Sequence, residues 1–321
     1  MSEFELLARV RERLPSGGSR VRVGSGDDAA VTVPGGATAT SVDALVEGVH
    51  FRREHASLKQ IGHKALAAAL SDLAAMGAEA GEAYAVLGVP ADLGEDGCLE
   101  LLEGMALLAE ATGTALVGGD VTRSPGLSVT VTVVGHADSP EDLVTRAGAR
   151  PGDALAVTGE LGGAAAGLLL LEEDSDPTGS AGALLIARQL EPQPRLAAGR
   201  GLAAGGATGM IDISDGLGGD ARHLAVASGV GIRIDAQAIP LAPVIDRLGG
   251  ERVGLELAVA GGEDYELLVT LPPERLEEAT AAVNAAGTQL TCIGEIVSGG
   301  GVEIRLPDGE LLEPRGFDQL G

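Results

Sequence analysis

The chain has no tryptophan, two tyrosines and three phenylalanines in 321 residues. Single-stranded nucleic acid is usually held by aromatic rings lining a basic groove, and this sequence supplies neither. Cations are scarce: 22 Lys+Arg face 47 Asp+Glu, a formal net charge of −25, and Lys59 and Lys64 are the only lysines. Nucleic acids and anionic membranes, which need basic surface, are therefore excluded as general partners. A P-loop is excluded too, because neither Leu58-Lys59-Gln60 nor His63-Lys64-Ala65 carries the Gly-Lys-Ser/Thr that it requires. Cys98 and Cys292 are too few for a disulfide framework and too far apart for a zinc signature. No apolar run reaches the roughly 18–20 residues of a membrane span. Met1-Ser2-Glu3-Phe4 opens an acidic-basic helical pattern rather than a signal peptide. The expected compartment is a reducing cytoplasm.

With 45% hydrophobic residues but 2% aromatic, the cores must be packed by Ala, Val, Leu and Gly. The length predicts two domains. Strands are expected at Arg20–Val23, Ala37–Val42, Glu82–Val89, Thr114–Val117 and Leu127–Gly135, with helices from Ser57 to about Met76 and from about Asp96 to Thr112. The Gly/Pro-rich segment from Arg146 to Asp153 marks the boundary, giving domains of 1–150 and 151–321. Beyond it, strands at Ala154–Thr158, Thr208–Ile213, Val230–Asp235, Glu266–Leu271 and Leu290–Ile296 alternate with helices, one of them from about Asp215 to Ser228. Pro307-Asp308-Gly309 is a hairpin turn. The fold class is α/β (α+β) in two domains, the first a mixed sheet with helices.

Six acidic motifs stand in glycine or apolar surroundings: Gly26-Asp27-Asp28, Ser41-Val42-Asp43, Ser71-Asp72, Gly118-Gly119-Asp120, Asp212-Ile213-Ser214-Asp215 and Gly262-Glu263-Asp264. A carboxylate near a packed apolar surface is costly unless paired, and side-chain cations are too few to pair them all. Divalent metal, which in its hard forms prefers oxygen ligands, is the natural partner. The motifs thus point to a metal site that handles phosphate. Asp72 interrupts a helix that is apolar nearly all round, the mark of a buried element. Ser214-Asp215 also suits a plain helix N-cap, which leaves Asp212 unexplained. Gly24-Ser25-Gly26-Asp27-Asp28-Ala29 imitates a dinucleotide fingerprint, but a strand-like Ala-Val-Thr-Val-Pro follows where a helix is required. Gly159-Glu160-Leu161-Gly162-Gly163 reads as a strand-to-helix turn with the makings of a generic anion site. His50 reads either as a substrate contact or as a structural histidine.

In order along nearly the whole chain, Gly26-Asp27-Asp28-Ala29-Ala30-Val31, Ser41-Val42-Asp43 through His50-Phe51, Ser71 through Ala78, Gly118-Gly119-Asp120, Arg146 through Asp153, Asp212 through Leu217 and Gly261 through Leu267 resemble the thiamine-monophosphate kinase family. The resemblance implies ATP-dependent phosphorylation of thiamine monophosphate to thiamine diphosphate. It also implies the fold shared with aminoimidazole ribonucleotide synthetase and selenophosphate synthetase, and a homodimer formed through the first domain. That domain would bind ATP and magnesium, and the second would complete the substrate and nucleotide site. By motif, Asp28, Ser41, Asp43, Asp72, Asp120, Asp212 and Asp215 resemble ligands of several Mg²⁺ ions, with Val42 ligating through its main chain. Gly119, Asp120, Arg146 and Ser214 resemble ATP contacts, with Arg146 and Asp120 closest to the transfer. His50, Glu263 and Phe317 resemble substrate contacts. The helix before Gly118 lacks an aromatic residue to stack on adenine. The alternatives are another ATP-dependent synthetase of the same superfamily and a non-catalytic acidic metal-binding protein.

Overall fold

The computed structural model describes residues 9, 18–24, 29–172, 180–243, 245–248 and 250–317. The Gly26-Asp27-Asp28 motif, and with it the metal-ligand expectation for Asp28, lies outside the described residues, as does nearly all of the N-terminal helical pattern. Two compact units emerge, Met1–Leu73 with Ala78–Pro140 and Ala74–Gly77 with Glu141–Gly321.

In the first unit, β1 (Val21–Val23) and β2 (Val31–Thr32) form a small antiparallel ribbon. The main sheet has four strands, β3 (Ala37–Val46), β4 (Glu79–Val89), β5 (Ala115–Arg123) and β6 (Ser128–Ala137), in the order β3-β6-β4-β5. It is mixed: β6 runs antiparallel to both neighbours, and β4 and β5 are parallel. Helix α1 (Leu58–Ala75) precedes β4, and α2 (Gly94–Thr112) makes the crossover between β4 and β5. Ser57 opens α1 with a reciprocal cap: the Ser57 N–H donates to Gln60 Oε1 at 3.0 Å, and the Gln60 N–H donates to Ser57 Oγ at 3.3 Å. Ile61, Leu66, Leu70 and Leu73 are fully buried, as an all-round apolar helix requires. Period-two alternation sets the two faces of the sheet. Val129, Val131 and Val133 are buried on the face against which Leu73 of α1 packs, while Thr130, Thr132 and Val134 face the other way and are half-buried.

The second unit is built on a seven-stranded mixed sheet, with strands β7 (Ala154–Thr158), β8 (Gly209–Asp212), β9 (Gly231–Asp235), β10 (Leu267–Leu271), β11 (Leu290–Val297), β12 (Gly301–Arg305) and β13 (Leu311–Leu312). Their order is β13-β12-β9-β11-β7-β10-β8, and β12 with β9 is the parallel pair. Helices α3 (Gly163–Glu172), α4 (Ser180–Leu190), α5 (Leu196–Ala204), α6 (Leu217–Ser228), α7 (Glu251–Ala260) and α8 (Leu276–Ala285) accompany it. Its core is aliphatic: Leu155, Val157, Ile211, Ile232, Ile234, Leu268 and Ile293 from strands meet Leu217 and Leu224 of α6. Strands β7 and β10 are buried along their whole length, which accounts for their unbroken apolar runs.

Three local expectations need correction. The strand expected at Thr114–Val117 runs on to Arg123, so Gly118-Gly119-Asp120 lies inside β5, where a Cβ on Gly119 would sit 1.9 Å from the Ala85 carbonyl oxygen. Helix α6 begins at Leu217, not at Asp215, so Ser214-Asp215 is not its cap. Helix α7 was hidden by the glycines at both its ends, Gly249-Gly250 and Gly261-Gly262.

Candidate functional site

In the first unit, strand alternation carries Ser41 and Asp43 to the half-buried side of β3, together with buried Leu45. There they meet Asp72, one turn from the end of α1: the Ser41 hydroxyl donates to Asp72 Oδ2, and the two carboxyls of Asp43 and Asp72 face each other. Burial, and then the charge of Asp72, push the Asp43 carboxyl up to about 6 from its ordinary 3.8. Two carboxylates and a hydroxyl converging at the edge of an apolar core form an oxygen-only donor set. Val42 projects from the opposite face and is 60% exposed. β3 is an edge strand, so the carbonyls along its outer side have no partner strand among the described residues.

Gly119 and Asp120 stand apart from this cluster. Asp43 pairs with Val131, Val131 with Ala85, and Ala85 with Gly119, so Gly119 shares a row with Asp43 three strand spacings away, about 14 Å. Asp120 is one row further along and exposed. His50 lies in the turn after β3, where its Nδ1 accepts the Val46 N–H at 3.1 Å. In the neutral ring that contact leaves the proton on Nε2.

In the second unit one turn organises most of the expected residues. Asp212 ends β8 and is buried. The N–H groups of Ser214 and Asp215 both donate to Asp220 Oδ2 at 3.0 Å. The carbonyls of the same two residues point the other way: Ser214 O accepts the Glu263 N–H at 2.8 Å, and Asp215 O accepts the Phe317 N–H at 2.9 Å. Two substrate candidates more than fifty residues apart in sequence are thus tied to consecutive carbonyls beside two metal-ligand candidates. Asp220, in the first turn of α6, has its carboxyl pushed up to about 8 by burial and then by the charge of Asp212. Phe317 leaves its ring 57% exposed.

The Gly262-Glu263-Asp264-Tyr265 segment is held under strain. Glu263 and Tyr265 have φ of 68° and 50°, left-handed values that cost a non-glycine residue about 1–3 kcal/mol each. A Cβ on Gly262 would come within 2.3 Å of the Ser214 carbonyl oxygen, so only glycine lets the two turns approach. Asp264 fastens the loop by accepting the Gly162 N–H at 2.6 Å and the Ala164 N–H at 3.1 Å. The anion site that Gly159–Gly163 suggested therefore exists, and the chain's own carboxylate fills it. Burial raises the Asp264 carboxyl to about 7 despite those two donors.

The backbone at Arg146 lies beside β8 and the end of α6: the Thr145 carbonyl accepts the Met210 N–H at 3.1 Å, and the Arg146 carbonyl accepts the hydroxyl of Ser228, the last residue of α6. Sequence reading also passed over three residues. Asp220 had a signal, an acid in the first turn of a helix that follows glycine. Asp264 was seen only as part of an acidic motif. Gln189, whose Nε2 donates to Glu263 Oε2 at 2.7 Å, gave no signal at all. Among the described residues, no three His, Cys, Asp or Glu side chains form a ready-made metal cage, and no helix is long and apolar enough to cross a membrane.

Known proteins resemble the chain in sequence and in fold. Two family models match, AIR synthase related protein, N-terminal domain, over residues 26–137, and AIR synthase related protein, C-terminal domain, over residues 150–307. Thiamine-monophosphate kinase of Salmonella typhimurium is 38% identical over 297 residues, covering 92% of this chain and 90% of the relative. That of Escherichia coli is 37% identical over 323 residues, covering 99% and 98%. Among solved structures, thiamine-monophosphate kinase from Stenotrophomonas maltophilia superposes with a TM-score of 0.86 at 34% identity, covering 97% of this chain and 98% of the other. AaThiL complexed with AMPPCP and TMP gives 0.79 at 30% identity, covering 99% and 97%.

Proposed function

The chain belongs to the thiamine-monophosphate kinase family, and on that premise we propose how its own residues serve the ATP-dependent phosphorylation of thiamine monophosphate to thiamine diphosphate. The observation that carries the reading is the Ser214-Asp215 turn, whose carbonyls hold Glu263 and Phe317 while Asp212 and Asp215 flank them. Glu263 offers a carboxylate to the cationic thiazolium, and the exposed Phe317 ring covers it. His50 donates from Nε2 to a phosphate oxygen. The acceptor is itself a phosphate, whose second pKa of about 6 leaves its oxygen ionised at neutral pH. No protein base is needed, and transfer is direct and in line, without a phosphoenzyme.

Two anions must still meet among carboxylates. The oxygen-only set of Ser41, Asp43 and Asp72, with two acids pressed together at the edge of a core, fits a hard divalent cation. Asp212 and Asp215 would hold a further ion, and Asp120, one row beyond Gly119 on β5, a separate one. Val42 would contribute a main-chain carbonyl and Asp28 a carboxylate. When bound, magnesium supplies the positive charge that neutralises the phosphate oxygens and the transferring group. Gly119 and Ser214 let the nucleotide phosphates approach the backbone, and Arg146 grips ATP. The first domain, to about residue 150, would carry ATP and magnesium, and the second would complete the substrate and nucleotide site. The open face of the four-stranded sheet, with Val42 and Val86 60% and 41% exposed, is where a second copy would pack to form a homodimer.

The test is ADP release measured with and without thiamine monophosphate across magnesium concentration. The kinase reading expects release that depends on both. Release without the acceptor would favour another synthetase of the superfamily, and no release at any magnesium concentration would favour a non-catalytic metal-binding protein.

A further inference from the structure

We propose that Gln189 is a positioning residue for acceptor recognition, setting the direction of the Glu263 carboxylate through its side-chain amide. The inference rests on the reading of Glu263 as a substrate contact. Gln189 ends the last turn of α4 and is 4% exposed, yet a buried amide is unfavourable unless its polar atoms are bonded. A leucine or methionine would fill the same space without that cost. The bond that compensates it is the 2.7 Å contact from Nε2 to Glu263 Oε2, across 74 residues of sequence.

The chemistry of the donor matters. Two guanidinium groups flank Gln189 in sequence, and both serve other carboxylates: Arg188 pairs with Glu160, and Arg195 grips Glu266 through two bonds of 2.8 and 2.6 Å. An arginine or lysine on Glu263 would cancel the negative charge that a cationic heteroaromatic ring requires. A neutral amide fixes the carboxylate without cancelling its charge. Glutamate is a long side chain whose immobilisation on binding has an entropic cost. Here the backbone of Glu263 is pinned by the Ser214 carbonyl and its carboxylate by Gln189, so both ends are ordered before the acceptor arrives.

The experiment compares Gln189→Met, which keeps the volume and removes the donor, with Glu263→Gln and the double variant. It reads kcat, KM for thiamine monophosphate and KM for ATP separately, with melting temperature as the folding control. Gln189→Met should raise KM for thiamine monophosphate about tenfold, the worth of one hydrogen bond to a charged group. It should leave kcat and KM for ATP within about twofold, and the double variant should be no worse than Glu263→Gln alone. An unchanged KM for the acceptor in Gln189→Met beside a raised one in Glu263→Gln overturns the role of Gln189 and leaves that of Glu263 standing. So does a double variant whose defect is the product of the two, or a loss confined to kcat or melting temperature. An unchanged KM for the acceptor in Glu263→Gln removes the substrate contact itself, and the proposal falls with it.

Discussion

Asp43 in the first unit and Asp220 in the second are both carboxyls lifted well above 3.8, to about 6 and about 8, and in both burial is the main cause and a neighbouring aspartate the next. Their surroundings differ. Asp220 accepts two backbone N–H groups at 3.0 Å and so fixes the turn that carries Ser214 and Asp215. Asp43 faces the carboxyl of Asp72, which is itself bonded to Ser41. Asp220 organises protein; Asp43, facing a second carboxyl, has the surroundings that the proposed cation site requires. A raised pKa therefore does not by itself mark a ligand-binding carboxylate, and what the oxygens face decides its role.

The largest effect expected from this contrast is on metal removal. Chelation of magnesium should abolish ADP release while leaving the fold intact by circular dichroism, because Asp220 and Asp264 hold the second unit's loops without it.

Next is Asp220. Asp220→Ala strands two half-buried N–H donors, which should destabilise the protein by about 1–3 kcal/mol and loosen the Glu263 and Phe317 tethers. Asp220→Asn keeps an acceptor oxygen and should retain most stability. Melting temperature and KM for thiamine monophosphate, measured in both, test whether this acid works through backbone. Equal losses in the two variants would make its charge, not its hydrogen bonds, the operative property.

A smaller effect separates Asp43. A carboxyl whose folded pKa is raised weakens the fold as it ionises, so below pH 3.8 Asp43 has no effect on stability. Its penalty grows as pH rises to about 6 and is constant above. Asp264 and Asp220 extend the same downward trend to about 7 and about 8. Asp43→Asn should therefore stabilise the metal-free protein at neutral pH, by a few kcal/mol at most, which a higher melting temperature would register. It should also flatten the profile below pH 6, and added magnesium should stabilise the parent protein more than the variant. A metal-free profile indifferent to the substitution would remove the contrast with Asp220.

Much of this was legible beforehand for identifiable reasons. Periodicity gave α1 and the alternating β6, and Ser57 marked the helix start. The two-domain α/β class followed from alternating patterns in both halves. The grouping of Ser41 and Asp43 with Asp72 was legible only as a resemblance, because strand and helix meet through packing that sequence does not display. The strand at Thr114–Val117 was cut short because paired glycines break a strand pattern, when here Gly119 makes room for a neighbouring carbonyl. Gln189 was missed because its partner lies 74 residues away in sequence, and Asp220 because nothing local distinguishes an acid that fixes a turn from an ordinary acid in a first helical turn.

The most direct test of the proposed metal-assisted transfer, in which Asp72 and Asp212 hold magnesium, is turnover of Asp72→Asn and Asp212→Asn with ATP and thiamine monophosphate across magnesium concentration. Both variants are predicted to fold and to lose at least about a hundredfold in kcat, with any residual activity shifted to higher magnesium. Near-normal turnover in both at the parent's magnesium optimum would contradict the account.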